Sequence, residues 1–331
     1  MDIDFVLPWV DGSDPAWRAE REKYAPGEGE DGGEARYRDW GTLRYWFRGV
    51  AAFAPWVRRV HFVTWGHVPA WLNADEPRLR IVRHQDYIPP EYLPTFSSHA
   101  IELNMHRIPD LSEHFVYFND DVYLTAPVRE QDFFRNGLAC DTCRLTMTHA
   151  RSVNDVFAHI ALNNVGLLNR HLDHAKYMRL NRRRWFSPKN GLRSVARSAM
   201  LSFWPYFTGF ASPHLAVAYE KRAFEEIWLA EPRELDATCR RRFRSMADVS
   251  QLAARSWRLA RGHFSPSRPL GMPFFPSGDA GVARAARAIV SQQFRMLCVN
   301  DDDAGFDFEL ERDRLIAAFE QILPAKCSFE R

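Results

Sequence analysis

Phe115-Val-Tyr-Phe118 is an aromatic and β-branched run that ends directly in Asn119-Asp120-Asp121, and this junction limits the fold more than any other stretch. Residues of that kind suit a buried strand, which puts the two carboxylates at its carboxyl end. In open α/β sheets that edge is where ligands bind. The pattern recurs where Met296-Leu-Cys-Val299 runs into Asn300-Asp-Asp-Asp303. As neighbours, the two turns would form one concentrated negative site. Clustered carboxylates repel and need protons, cations or a metal to stay ionised. An oxygen-rich cluster calls for a hard cation, Mg²⁺ or Mn²⁺, shared with substrate phosphates. An ordinary Asn-Asp turn after a strand writes the same tripeptide, so both readings stand at this point.

The remaining elements can be read in order. Ile3 to Leu7, Val60 to Thr64 and Leu79 to Val82 are further strand candidates. They alternate with helical patterns, such as Leu43, Phe47 and Val50 at spacings of four and three. That alternation predicts an α/β fold, a Rossmann-like, mostly parallel sheet flanked by helices. The first strand leads into Trp9-Val10-Asp11-Gly12, an acidic Gly-containing loop of the kind that opens many nucleotide-binding folds. It contains no Gly-x-Gly-x-x-Gly or Walker pattern, and an Asp-Gly turn with Trp9 in the core fits equally. Residues 25 to 35, with four glycines and four acids, read as a surface loop.

A helix is expected from Ser98 through Ile101, Met105 and Ile108, with Ser98, Glu102 and His106 on one face and His99 close by. That face could hold a sugar or a cation, or be a solvated surface with a Glu102–His106 pair. Pro213 precedes His214 and limits the backbone there, ahead of a helix expected over Tyr219 to Leu229. Pro266 to Gly278 reads as a connector before a strand at Arg295 to Val299. An amphipathic C-terminal helix with Leu315, Ile316, Phe319 and Ile322 should close the core.

A chain of 331 residues, 46% hydrophobic and 26% charged, can bury a sizeable core, here read as one domain over residues 1–331. A net charge of +2 gives no case for nucleic acid as a partner. Local clusters are another matter. Lys176 to Arg197 holds eight Lys or Arg and no acid, interleaved with Tyr177, Trp185 and Phe186. This predicts a helical, cationic insertion over 145–205 facing an anionic acceptor, against the plainer alternative of a solvated charged surface. Five scattered cysteines, including Cys140-x-x-Cys143, make neither a disulfide framework nor a zinc site, and buried or idle thiols are expected. Acids at Asp2 and Asp4, where a secretory leader would carry lysines or arginines, point to the cytoplasm. The uncharged run Ser198 to Tyr219 contains Pro205, Pro213 and His214, which argues against a membrane span. Peripheral docking at the inner face of the plasma membrane stays open.

These blocks, in this order, resemble the Stealth family of sugar-1-phosphate transferases. Its members include bacterial capsule and exopolysaccharide phosphotransferases and the animal enzyme that makes the lysosomal mannose-6-phosphate tag. Ile3-Asp-Phe-Val-Leu-Pro-Trp-Val-Asp-Gly-Ser-Asp14 is similar to the family's opening block, with Leu7-Pro8 where Tyr-Thr is more usual. Asp39 to Leu124 resembles the second block, including Leu93-Pro-Thr-Phe-Ser-Ser98, Ala100-Ile-Glu102 and Asn119-Asp-Asp-Val122. Pro213-His214 and Arg242-Phe-Arg244 through Asp248 resemble the third, and Cys298-Val-Asn-Asp301 the fourth. The resemblance implies transfer of a sugar 1-phosphate from a UDP-sugar to a hydroxyl of a glycan or polysaccharide acceptor, with UMP released. Carried over by position, it implies an active site of Glu102, Asp121, His214 and Arg244. Ser98 and Asn119 would contact substrate, and the loop of Trp9, Val10, Asp11 and Gly12 would lie under the nucleotide.

Chemistry fits that assignment. Arg244 suits bidentate phosphate contact, and a cation at Asp121 and Asp301 would neutralise the departing UMP. The base is His214 or an Asp121 of raised pKa. Ser98 and Glu102 would hold sugar hydroxyls or orient the base. Two rivals are a metal-dependent UDP-sugar glycosyltransferase, which releases UDP, and a non-catalytic module that binds anionic glycan or membrane through Lys176 to Arg197.

Overall fold

The computed structural model describes residues 1–25, 40–275, 279–300 and 307–331. The expected loop at 25 to 35, Asp39 and Asp301 lie wholly or mostly outside them. The first half of the chain runs β1 (Ile3–Pro8), α1 (Pro15–Glu22), α2 (Leu43–Phe53), β2 (Val60–Thr64), β3 (Leu79–Arg83), α3 (Ser98–Leu103) and β4 (His114–Tyr117). It continues through β5 (Val122–Leu124), α4 (Glu130–Phe133), β6 (Phe134–Arg135) and β7 (Leu138–Asp141). Three helices follow, α5 (Val156–His171), α6 (His174–Trp185) and α7 (Leu192–Leu201). The rest is β8 (Val217–Glu220), α8 (Lys221–Ala230), α9 (Pro232–Arg240), α10 (Leu252–Ala260), β9 (Ser265–Pro266), β10 (Gly271–Phe274), α11 (Asp279–Val290), β11 (Met296–Val299) and α12 (Phe308–Ile322). None of the described helices is long and apolar enough to cross a membrane.

The central sheet has the order β3-β2-β1-β4-β8. β1 to β4 are parallel and β8 is an antiparallel edge strand. This is the mainly parallel, Rossmann-like sheet that the alternating pattern predicts. Its strands are apolar almost throughout because both faces are covered. Phe5, Leu7, Val116 and Phe118 face one core with residues of α2, α11 and α12. Val6, Phe115 and Tyr117 face the other, with residues of α3, α8 and α10. A second sheet, β10-β11-β5, continues from the acidic turn after β4. A short third sheet joins β6, β7 and β9.

Three elements differ from expectation. α3 stops at Leu103, because the Asn104 side chain turns back to donate to the Ala100 carbonyl at 2.8 Å, a local bond that competes with helix continuation. His106 therefore sits in a following 3₁₀ turn and stacks on Phe224 at 5.8 Å and 12°. It is not paired with Glu102, and burial pushes its pKa down to about 3. Val217–Glu220 is a strand, not the start of the next helix, since Tyr219 is buried opposite Phe115. A short apolar run does not distinguish the two. Within the expected connector, β10 pairs with β11. A Cβ at Gly271 would lie 1.6 Å from the Met296 carbonyl oxygen, so the glycine that suggested a loop is what allows the strand its close approach.

Candidate active site

Strand order brings the site together. β1 and β4 run in parallel, with Val6 opposite Tyr117, so the Trp9–Gly12 loop and Asn119-Asp120-Asp121 leave the same edge. β8 enters at that edge, with Val217 opposite Tyr117. This delivers His214, three residues upstream, to the acidic turn. β11 reaches it from the other side: Val299 N donates to the Asp121 carbonyl at 2.9 Å, and Asn300 Nδ2 donates to Asp121 Oδ2 at 2.7 Å.

Two runs of polar contacts, one turn of α3 apart, cross this edge. The Arg244 guanidinium donates to Ser98 Oγ from Nη2 at 2.6 Å and from Nε at 3.2 Å. Ser98 and Glu102 are one helical turn apart on α3. Tyr117 Oη donates to Glu102 Oε1 at 2.9 Å and lies 2.5 Å from the Asn119 amide. That amide lies 3.0 Å from His214 Nε2, which is 3.2 Å from Asp121 Oδ2. Glu102, Asn119, His214 and Asp121 are thus joined, with Tyr117 as the link that sequence reasoning missed, and Arg244 with Ser98 forms a separate pair one turn along α3.

Proton counting fixes the direction of this chain. A hydroxyl has one hydrogen, so Tyr117 cannot donate to both Glu102 and Asn119. As placed, Asn119 Oδ1 accepts from Tyr117 and Nδ2 faces His214 Nε2; turning the amide end for end, which its shape permits, lets Tyr117 donate to Glu102 alone and lets His214 Nε2–H donate to the amide oxygen. Nε2–H then donates toward Asn119 and Asp121, which leaves Nδ1 as the basic atom. Burial pulls the imidazolium pKa down, but the Asp121 bond and charge, with Glu102 and Asp120 behind them, outweigh it and raise it above the usual histidine value.

Asp121 Oδ1 is buried and has no hydrogen-bond partner among the described residues. An orphaned carboxylate oxygen at the mouth of an anionic turn fits a divalent cation. His214 and Cys298 bring ligand-type atoms within 4.8 Å of it and of each other. Burial, then the Asp121 charge, push the Cys298 thiol far up in pKa, so it packs there as a neutral thiol and not as a thiolate ligand. Neither Cys298 nor Asn300 stood out in the sequence, although both lie in the block that ends at Asp301.

The opening loop is held rigidly. Trp9 stacks on Phe62 at 5.5 Å and meets His67 edge-on at 5.2 Å. Asp11 N donates to His67 Nε2 at 2.8 Å, and Asp11 Oδ1 accepts from both Ser13 N and Ser13 Oγ. Gly12 is buried, its carbonyl accepting from Arg18 Nε at 2.6 Å. Phe96, stacked on Phe243 at 5.4 Å and meeting Trp17 at 6.0 Å, ties α1 to the segment that carries Arg244.

Residues 1–29 match Stealth protein conserved region 1, and residues 36–141 match Stealth protein conserved region 2. A capsular polysaccharide phosphotransferase of Streptococcus pneumoniae is 37% identical, with 99% of each chain covered. The chain belongs to the Stealth family. A receptor polysaccharide phosphotransferase of Streptococcus gordonii is 36% identical over 99% of this chain and 98% of its own. An exopolysaccharide phosphotransferase of Lactiplantibacillus plantarum is 35% identical over 100% and 97%. Among solved structures, mouse xyloside xylosyltransferase 1 aligns with a TM-score of 0.36 at 10% identity, covering 93% of this chain and 100% of its own. So distant a likeness carries no argument about the reaction.

Proposed function

We propose that this Stealth protein transfers a sugar 1-phosphate from a UDP-sugar to a hydroxyl of a polysaccharide acceptor, making a phosphodiester and releasing UMP. The observation that carries the reading is the run of polar contacts from Glu102 through Tyr117 and Asn119 to His214 and Asp121 at the carboxyl edge of the sheet, with the Arg244–Ser98 pair one turn along α3. Full-length relatives named as capsular, receptor and exopolysaccharide phosphotransferases support it.

The roles follow from the contacts. His214, oriented through Nε2 by Asp121 and Asn119, takes the proton of the attacking acceptor hydroxyl at Nδ1. Arg244, steadied by Ser98, binds the non-bridging oxygens of the sugar-proximal phosphate, where charge builds in the transition state. Glu102, fixed by Tyr117, accepts from sugar hydroxyls or holds the histidine's surroundings in place. The loop of Trp9, Val10, Asp11 and Gly12 lies under the nucleotide. A Mg²⁺ or Mn²⁺ ion would be held by Asp121, with Asp301, outside the described residues, as the second ligand expected from the sequence, and would supply charge neutralisation for the departing UMP. The sugar's C1–O bond stays intact, so anomeric configuration is retained. The enzyme works in the cytoplasm at the periphery of the membrane's inner face, as a single catalytic domain.

Incubation with a panel of UDP-sugars and Mg²⁺ or Mn²⁺ tests this. UMP should appear in step with product and stop on chelation; UDP as the released nucleotide would put the protein with the glycosyltransferases.

A further inference from the structure

Helix α7 is amphipathic in the wrong sense for a core helix. It buries Leu201 at its end, but otherwise Ser194 and Ser198, the latter accepting from Leu145 N at 3.0 Å. It turns Leu192 (75% exposed) and Met200 (68%) to the outside. The turn that follows continues the apolar surface with Phe203 at 90% and Trp204 at 54% exposure. Leu192, Ala196 and Ala199 are spaced four and three apart, so they share a face of the helix. Large apolar side chains held in water in this way mark an interaction surface.

The charge around them has one sign. Residues 174–219 contain no aspartate or glutamate. Among the described residues, Arg182, Arg183, Lys189 and Arg193 make no ion pair, and all four are exposed. Protruding aromatic and aliphatic groups in a stretch of chain whose exposed cations have no ion pair are the pattern of a segment that lies in the interface of an anionic bilayer. An anionic glycan would be served by the cations alone and would gain little from Phe203 and Leu192.

We propose that α7 and the Phe203-Trp204 turn dock this protein on an anionic lipid bilayer. The surface is mechanically coupled to the site. Helix α5 begins beside Arg244, whose guanidinium lies 5.9 Å over the Phe157 ring. Near the other end of α5, the Asn169 side chain bonds the Phe207 carbonyl and amide at 2.9 and 2.8 Å. The step of twelve residues from Phe157 to Asn169 spans about 18 Å of helix, so one continuous helix ties the docking segment to the active site. The proposal deepens the peripheral-membrane part of the functional reading and rests on it only for its purpose.

The test is co-sedimentation of the full chain with phosphatidylcholine vesicles, with and without phosphatidylglycerol, scored beside UMP release from a UDP-sugar and a soluble acceptor. The parent protein should pellet with the anionic vesicles only. A Phe203→Ser, Trp204→Ser double variant should bind them about tenfold or more weakly while UMP release without vesicles stays unchanged. Arg182→Glu with Arg183→Glu should also lose the vesicles. A parent protein that stays in the supernatant overturns the proposal. So does a double variant that pellets as well as the parent, or an anionic polysaccharide that binds both proteins equally while vesicles bind neither. Failure of UMP release with vesicle binding intact would strike the catalytic reading and leave docking standing.

Discussion

The catalytic edge and the helical region between residues 156 and 206 solve opposite problems with the same residue types. At the edge, polar groups are half-buried and paired, Arg244 with Ser98 and Glu102 through to Asp121, and Asp121 Oδ1 is left over at the point where a cation fits. In the helical region, Arg182, Arg183 and Arg193 stand in solvent without an ion pair among the described residues, Leu192, Phe203 and Trp204 are exposed beside them in sequence, and Ser194 and Ser198 are turned inward. Convergence of paired polar groups marks chemistry, whereas unpaired apolar and cationic groups mark a surface that waits for another phase. Charge alone would have ranked the two the other way round, because the arginine-rich stretch is the more conspicuous in sequence.

The largest expected effect breaks that comparison if it fails. His214→Ala and Arg244→Ala should each cut the rate of UMP release by about 10² to 10⁴ with little change in unfolding midpoint, since both side chains lie at the rim of the fold. Arg244→Lys should recover only part of the loss, because a lysine cannot reproduce the forked contact. Comparable losses from Phe203→Ser in solution would erase the distinction between the two regions.

A stability effect of middle size comes from the same sheet but away from its edge. Asp4 is fully buried in β1 and accepts from Arg58 at 2.8 and 2.5 Å, His61 Nε2 at 3.0 Å and Ser112 N at 2.8 Å. Burial opposes its charge, but these bonds outweigh it and hold its pKa at about 2. A depressed carboxylate contributes stability that is present above its unfolded value near 3.8 and lost as pH falls toward 2. From that shift the contribution is about 2 kcal/mol. Urea unfolding of Asp4→Asn should show a deficit of at least that size at pH 7, narrowing as the pH drops below 4.

The smallest effect sharpens the description of the edge. The neutral imidazole is the working form; without metal its pKa lies above the usual histidine value because of Asp121, so the His214 ring titration followed by NMR in metal-free protein should sit above that value and move down when Mg²⁺ is added. Asp121→Asn removes the charge that raises it. The metal-free titration of that variant should lie at lower pH, while an unmoved titration would assign the shift to another group.

Much of this was legible in sequence for a physical reason. Strands buried on both faces appear as unbroken apolar runs, so β1, β2, β3, β4 and β11 were found within a residue or two, and the turn at Asn119-Asp120-Asp121 was placed by the strand before it. Strand order is another matter, because no local period records it. That β8 lies antiparallel against β4, and so lowers His214 onto Asp121, follows from topology alone. Tyr117 looked like one more aromatic in a strand, although its hydroxyl joins Glu102 to Asn119. The resemblance to a known family named the residues of the site, and only the folded chain connected them. The inverted face of α7 was hidden for a similar reason: its serines and leucine are unremarkable until burial shows which of them point inward.

The central claim is that phosphorus and not carbon is attacked. A UDP-sugar labelled at the β-phosphorus distinguishes the two with a single count. Phosphotransfer carries the label into the polysaccharide as a phosphodiester and leaves unlabelled UMP. Label recovered in UDP, with a product free of it, would contradict the account.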